Sequence, residues 1–196
     1  MPVGLDFTEA AAVPLGAATA WAAVEAAGLV PGQRVLVHGG AGGVGQFAVQ
    51  LARRKEAVVI ATASGGNADA VESLGADQVI DYAATRFEDA ADDLDAVIDT
   101  VGGDVLERSV DVITSGGVLV TVAGRPPERA AGAGVRAASV RGQITAELLD
   151  HLTPLLEDGS LRVYVAGVLP LEAAPEAHAT AETGHSRGRL VLQVST

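Results

Sequence analysis

The run Val35-Leu36-Val37-His38-Gly39-Gly40-Ala41-Gly42-Gly43-Val44-Gly45 passes from a β-branched apolar stretch through glycines into a segment of helical period, Val44 to Arg54. Gly40, Gly42 and Gly45 stand in the spacing G-x-G-x-x-G. Each glycine answers a separate need: a tight turn, backbone approach to a pyrophosphate, and close packing of helix on strand. A phosphate at this turn would meet unpaired amides and the positive end of the helix. Taken alone, the triplet also describes a tight turn in any α/β protein. Here an apolar strand precedes it and an apolar helix follows it, which points to dinucleotide binding.

Outward from this turn, apolar β-branched runs alternate with alanine-rich segments, the pattern of repeated βαβ units. Strands are predicted at Arg34 to His38, Val58 to Thr62, Gln78 to Asp81, Ala96 to Asp99, Gly117 to Ala123 and Val135 to Val140. Helices are predicted between them at Val44 to Arg54, Ala68 to Leu74, Glu88 to Asp92 and Asp104 to Ile113. Continuously apolar strands such as Val58-Val59-Ile60 fit a sheet covered on both faces. The expected fold class is therefore α/β, a Rossmann doubly wound parallel sheet of about six strands.

An alanine-rich helix, Phe7 to Ala27, leads into the sheet, ends at Gly28 and is expected to pack on the sheet edge or face. Beyond the sixth strand, Ile144, Leu148, Leu152, Leu155 and Leu156 recur at helical spacing, with Pro154 expected to kink or shorten that helix. A tail then reads strand (Leu161 to Val168), helix (Glu172 to Glu182), strand (Arg189 to Val194). The expected organisation is a Rossmann domain over residues 1–160, with a strand-helix-strand appendage over 161–196 packed on it.

Thirteen basic against 25 acidic side chains give a net charge of -12, which leaves no basic stripe for a nucleic acid or an anionic membrane. The absence of cysteine removes disulfides, thiolate zinc sites and cysteine nucleophiles together. The four histidines are far apart, and the seven-residue spacing of His178 and His185 is no ligand pattern, so no metal is expected. The most apolar run, Ala10 to Val24, carries Pro14 and Gly16, and no basic n-region opens the chain. A cytoplasmic location without a membrane span is the expectation.

At the end of the second strand, where an NAD site places an acid, the chain has Thr62-Ala63-Ser64-Gly65-Gly66-Asn67. The missing acid removes repulsion toward a 2′-phosphate and favours NADP(H), although the loop holds no cation to pair with one. Asp99, at the carboxyl end of a parallel strand, sits where open sheets place ligands, and Tyr82 could donate a proton. These two are the candidate catalytic residues, each with a plain packing role as its alternative. His38 reads as a structural histidine, and the acidic run from Glu88 to Asp95 as a solvated helix face.

Several stretches carry a resemblance: Pro14-Leu15-Gly16-Ala17-Ala18-Thr19-Ala20-Trp21, the run from His38 to Gly45 with Gln50-Leu51-Ala52, Leu74-Gly75-Ala76-Asp77, Ile80-Asp81-Tyr82, Asp99-Thr100-Val101-Gly102-Gly103 and the run from Gly184 to Val191. Together they resemble the medium-chain dehydrogenase/reductase superfamily, nearest its zinc-free NADPH:quinone oxidoreductase branch. The resemblance implies that Gly42, Gly43, Val44 and Gly45 meet the pyrophosphate and that Ser64, Tyr82 and Arg187 approach the 2′-phosphate. It also places Val101-Gly102 and Ala123-Gly124 on the nicotinamide side. Two positions depart from the pattern: Gly65-Gly66 stand where relatives carry Lys or Arg, and Glu56 where a glycine ends the first Rossmann helix. Relatives begin with a GroES-like catalytic domain, and this sequence begins after it.

Three functions follow as expectations. The first is an NADP(H)-dependent oxidoreductase-like protein passing hydride to a small-molecule enone or quinone, with a second chain able to complete the cleft. The second is a reused pocket that promotes a cofactor-independent cyclisation or isomerisation in a biosynthetic pathway. The third is a nucleotide-binding remnant without turnover. A homodimer is expected through the sixth strand, with Val135, Ala137 and Ser139 near the axis.

Overall fold

A computed structural model describes residues 1–184 and 186–194. Six parallel strands form one sheet: β1 (Arg34–Val37), β2 (Val58–Ala63), β3 (Gln78–Asp81), β4 (Leu94–Asp99), β5 (Ile113–Thr121) and β6 (Arg136–Ser139). Their spatial order is β3-β2-β1-β4-β5-β6. The order reverses between β1 and β4, so a crevice opens beyond their carboxyl ends, as the Rossmann arrangement requires.

Successive side chains on a strand point to opposite faces, and the two cores divide accordingly. Val35, Val37, Val59, Ala61, Ala96, Ile98, Val118 and Val120 pack into one core. Leu36, Ile60, Ile80, Leu94, Val97 and Leu119 pack into the other. The first core is covered by α1 (Phe7–Ala27), α2 (Gly45–Arg54), α3 (Ala68–Ser73) and α5 (Ala146–Glu157). The second is covered by α4 (Gly103–Arg108) and short 3-10 turns.

The lead helix α1 opens with a capping box, in which Asp6 accepts from the Glu9 amide and Glu9 from the Asp6 amide. It packs on a sheet face against α2, β4 and β5. By length and hydropathy alone α1 could cross a membrane, and Pro14 and Gly16 do not break it. Half of its most apolar window is buried in the fold, as in a core helix. Pro154 likewise lies inside α5, which runs on to Glu157 rather than stopping short. Two expected helices shrink: Glu88 to Asp92 is a single 3-10 turn over Phe87–Asp89, and Asp104 to Ile113 stops at Arg108 before a 3-10 turn. Glu88 pairs with Arg108 and Arg86, so this part of the acidic run is not a free solvated face.

The tail forms its own two-stranded parallel sheet, β7 (Val165–Pro170) and β8 (Arg189–Gln193), around α6 (Ala174–Glu182). Its lead-in is held by two glutamines one turn apart on α2. Gln46 Oε1 accepts from the Tyr164 amide at 2.6 Å and Gln46 Nε2 donates to the Tyr164 carbonyl at 3.2 Å. Gln50 does the same for Arg162, at 2.7 and 2.9 Å. The side-chain amides act as a substitute strand, satisfying backbone groups that leave water.

One polar chain runs through the sheet. The Gly39 amide donates to Thr62 Oγ1 (3.1 Å), which faces His38 Nδ1 (3.2 Å); His38 Nε2 faces Ser109 Oγ (3.1 Å), which donates to the Val105 carbonyl (2.7 Å). With His38 neutral, as its burial favours, one proton arrangement satisfies every link: Thr62 donates to Nδ1, and His38 Nε2 donates to Ser109 Oγ. Burial is the main cause that lowers the His38 pKa from 6.5 to about 4; the Asp99 charge opposes it, Arg108 reinforces it, and Glu88 opposes it.

Two predictions follow from these contacts. Because the unfolded histidine takes up a proton that the folded one refuses, the His38 contribution is intact above pH 6.5 and is lost as pH falls toward about 4. Full loss corresponds to about 3 kcal/mol, and urea melts of the wild type and His38→Gln should show the difference in stability narrowing across that window. Glu56 has φ +58°, the left-handed region that disfavours a side chain. Glu56→Gly should therefore raise the unfolding free energy by about 1 kcal/mol in the same melts.

Candidate functional site

The crevice beyond β1, β2 and β4 is a cleft of about 340 Å³. Gly39, Ala41, Gly42, Gly43 and Val44 form its floor; Ala63, Ser64, Asn67 and Tyr82 form one side; Thr100 and Val101 form the other. Gly184, Ser186 and Arg189 of the tail close it.

The three glycines of the motif divide between packing and lining. Gly40 and Gly45 are buried and absent from the lining. A Cβ on Gly45 would lie 2.0 Å from the Gly39 carbonyl oxygen, and one on Gly40 would lie 2.9 Å from Ala61 Cβ. Gly42, Gly43 and Val44 are half-buried and face the cleft. The first turn of α2 carries no acidic residue and no side-chain cap; the Gln46 amide donates to the Gly42 carbonyl and the Phe47 and Ala48 amides to the Val44 carbonyl, so an anion would meet the amides of the loop just before them. Behind the loop, α1 comes so close that a Cβ on Gly16 would stand 2.3 Å from the Gly43 carbonyl oxygen.

Ser64, Tyr82 and Val101 all line the cleft, and Asn67 Nδ2 donates to Ser64 Oγ at 3.0 Å. Gly102, Ala123 and Gly124 do not line it. They sit on the adjoining turns after β4 and β5, where a Cβ on Gly102 would be 2.9 Å from the Ala123 carbonyl oxygen. Asp99 is fully buried and shapes the turn: Oδ1 accepts from the Val101 and Gly102 amides at 3.1 and 2.9 Å, and Oδ2 accepts from Thr121 Oγ1 at 2.7 Å. Both oxygens are engaged inside the protein, so the carboxylate holds the Val101-Gly102 turn instead of facing a ligand.

Arg187 turns away from the cleft and stacks on the Tyr164 ring, with its guanidinium carbon 4.4 Å from the ring centroid. Arg189, two residues on, is the tail cation that lines the cleft. Both arginines lie in one sequence motif, and only the seating of the tail separates them. Glu56 follows α2 at the end remote from the loop, about 15 Å along a ten-residue helix, and does not line the cleft. His185 lies outside the described residues. Among the described residues, no three His, Cys, Asp or Glu side chains gather as a metal site.

A family pattern described as zinc-binding dehydrogenase matches residues 74–192. The chain is 37% identical over 199 residues to a 2-methylene-furan-3-one reductase of Solanum lycopersicum, covering 97% of this chain and 48% of that protein. It is similar to the quinone oxidoreductase from Coxiella burnetii, with a TM-score of 0.92 and 39% identity over 97% of this chain and 62% of that one. Another similar structure is the quinone oxidoreductase from Thermus thermophilus, solved also in complex with NADPH, with a TM-score of 0.81 and 30% identity over 99% of this chain and 68% of that one. The chain thus spans about half the length of the first curated relative. Its glycine loop, its sheet order and the family pattern across most of its second half agree, and the chain belongs to the zinc-binding dehydrogenase family of the medium-chain dehydrogenase/reductase superfamily.

Proposed function

We propose that this chain binds NADP(H) and presents the nicotinamide for hydride exchange with an enone, an alkenal or a quinone. The observation that carries the reading is the cleft itself: a glycine floor at a helix start without a side-chain cap, with Ser64 and Asn67 after the second strand, Tyr82 after the third, and no acid lining it among the described residues. Gly42, Gly43 and Val44 would hold the pyrophosphate. Ser64, Asn67 and Tyr82 would take the adenosine ribose and its 2′-phosphate, and Thr100 and Val101 the nicotinamide side. Bound there, the cofactor supplies a hydride, and the acceptor's double bond or quinone ring takes that hydride together with one proton.

What this chain's residues contribute is orientation and hydrogen bonding. Tyr82, 49% exposed at the cleft, offers its phenol to the ribose and 2′-phosphate, so the proton that accompanies the hydride comes from water. The proposal assigns no metal, since the sequence has no cysteine and, among the described residues, no histidine lines the cleft. It places the protein in the cytoplasm and leaves the far wall of the cleft to a second chain or domain, in keeping with the fraction of its relatives that it spans.

The proposal includes a homodimer through β6. The Val140 amide donates inward to the Thr121 carbonyl, so alternation turns the Ala137 and Ser139 amides out to the free edge. Val135 is buried in its own chain, and residues 136–139 form that edge.

Titration calorimetry should show heat for NADPH and weaker binding of NADH; heat for neither at millimolar cofactor sinks the reading. Light scattering should give twice the 19.7 kDa chain mass, and Ala137→Pro should shift it toward one copy by removing an outward donor. A single-copy mass for the unmodified protein would end the dimer proposal.

A further inference from the structure

The sequence offers no cation in the loop after β2, and the fold supplies one from the tail. Arg189 opens β8, and its stem lies across Gly43: a Cβ there would be 2.3 Å from Arg189 Cδ and 3.3 Å from Nη1. Arg53, Lys55, Arg86, Arg108 and Arg129 each pair with a carboxylate. Among the described residues Arg189 has no such partner, yet it lines the cleft over the glycine floor. An unpaired guanidinium beside the amides of a helix start suits a bound phosphate group.

The backbone of Arg189 is tied to the same helix by one atom. The Tyr164 carbonyl accepts from Gln46 Nε2 at 3.2 Å and from the Arg189 amide at 3.1 Å. Gly188, at φ +89°, fits against that carbonyl only as glycine, because a Cβ would lie 2.0 Å from its oxygen. The Gly188 amide donates to the Ala41 carbonyl at 2.8 Å. Gln46 is fully buried and bonded on both sides of its amide, so it fixes Tyr164 and through it the start of β8.

We propose that Arg189 is the cation for the cofactor pyrophosphate and that Gln46 is the positioning residue that sets it there, through the Tyr164 carbonyl. This rests on the NADP(H) reading above. Because the contact is to Gly43 and not to the Ser64 side, Arg189 serves the phosphates that NADPH and NADH share.

Calorimetry on the full chain tests both parts, with thermal melts to verify folding. Arg189→Leu should weaken NADPH and NADH by the same factor, about tenfold to hundredfold, and Arg189→Lys should recover part of the loss. Gln46→Met should weaken both cofactors in the wild-type background and change binding by less than about twofold in the Arg189→Leu background. Gln46→Asn, one methylene shorter, serves if Gln46→Met does not fold. Unchanged binding in Arg189→Leu overturns the proposal, and so does a loss confined to NADPH, which would assign Arg189 to the 2′-phosphate. An equal Gln46 effect in both backgrounds overturns the positioning role. A wild-type chain that binds neither cofactor overturns the NADP(H) reading and this inference together, whereas an insensitive Arg189→Leu overturns the inference alone.

Discussion

The contact between Gly45 and the Gly39 carbonyl governs this molecule. The first turn of α2 is pressed so close to the end of β1 that no side chain fits at Gly45. That closeness folds the seven-residue loop between β1 and α2 tightly and turns the helix start toward the crevice. It also seats α2 on the sheet, where Phe47, Ala48, Leu51 and Ala52 enter the first core. Gly16 repeats the constraint from the other side, since α1 reaches the back of the loop only where it lacks a Cβ. The loop is thereby held between the sheet and two helices, and a phosphate would meet a preorganised surface.

Polar groups extend that rigidity into the sheet. A loop amide cannot be buried unpaired, and Gly39 finds Thr62 on the neighbouring strand. Thr62 in turn needs an acceptor, which neutral His38 provides, and Ser109 completes the line on the opposite face. Phe87 packs edge-on at 4.6 Å against the imidazole and helps to exclude water. On the other wall, Asp99 uses both oxygens to hold the turn carrying Val101. A histidine and an aspartate beside the cleft thus have structural partners that account for their polar atoms.

The tail completes the cleft by a similar economy of backbone groups. Gln46 and Gln50 extend from the helix that begins at the glycine loop, so the segment at Arg162 to Tyr164 is registered to α2. The parallel bridge between Gly42 and Gly188 joins tail and loop directly. Residues more than a hundred positions apart therefore share one wall of the cleft.

The sequence by itself determined the six-strand order of elements, the glycine turn, the lead helix from Phe7 to Ala27 and the cleft positions Gly42, Gly43, Val44, Ser64, Tyr82 and Val101. The elements and the glycine turn are legible because period, turn chemistry and motif spacing are local properties, whereas Ser64, Tyr82 and Val101 are placed at the cleft by the family resemblance. The short helices after β3 and β4 were harder to delimit, since Glu88 and Ser109 spend their hydrogen-bonding groups on partners from other elements. Only the tertiary structure decided that Gly40 and Gly45 pack while Gly42 and Gly43 line, that Asp99 is enclosed, and that Arg189 rather than Arg187 faces the cleft. Each of those outcomes depends on which distant backbone or ring approaches, and a spacing along the chain does not encode that approach.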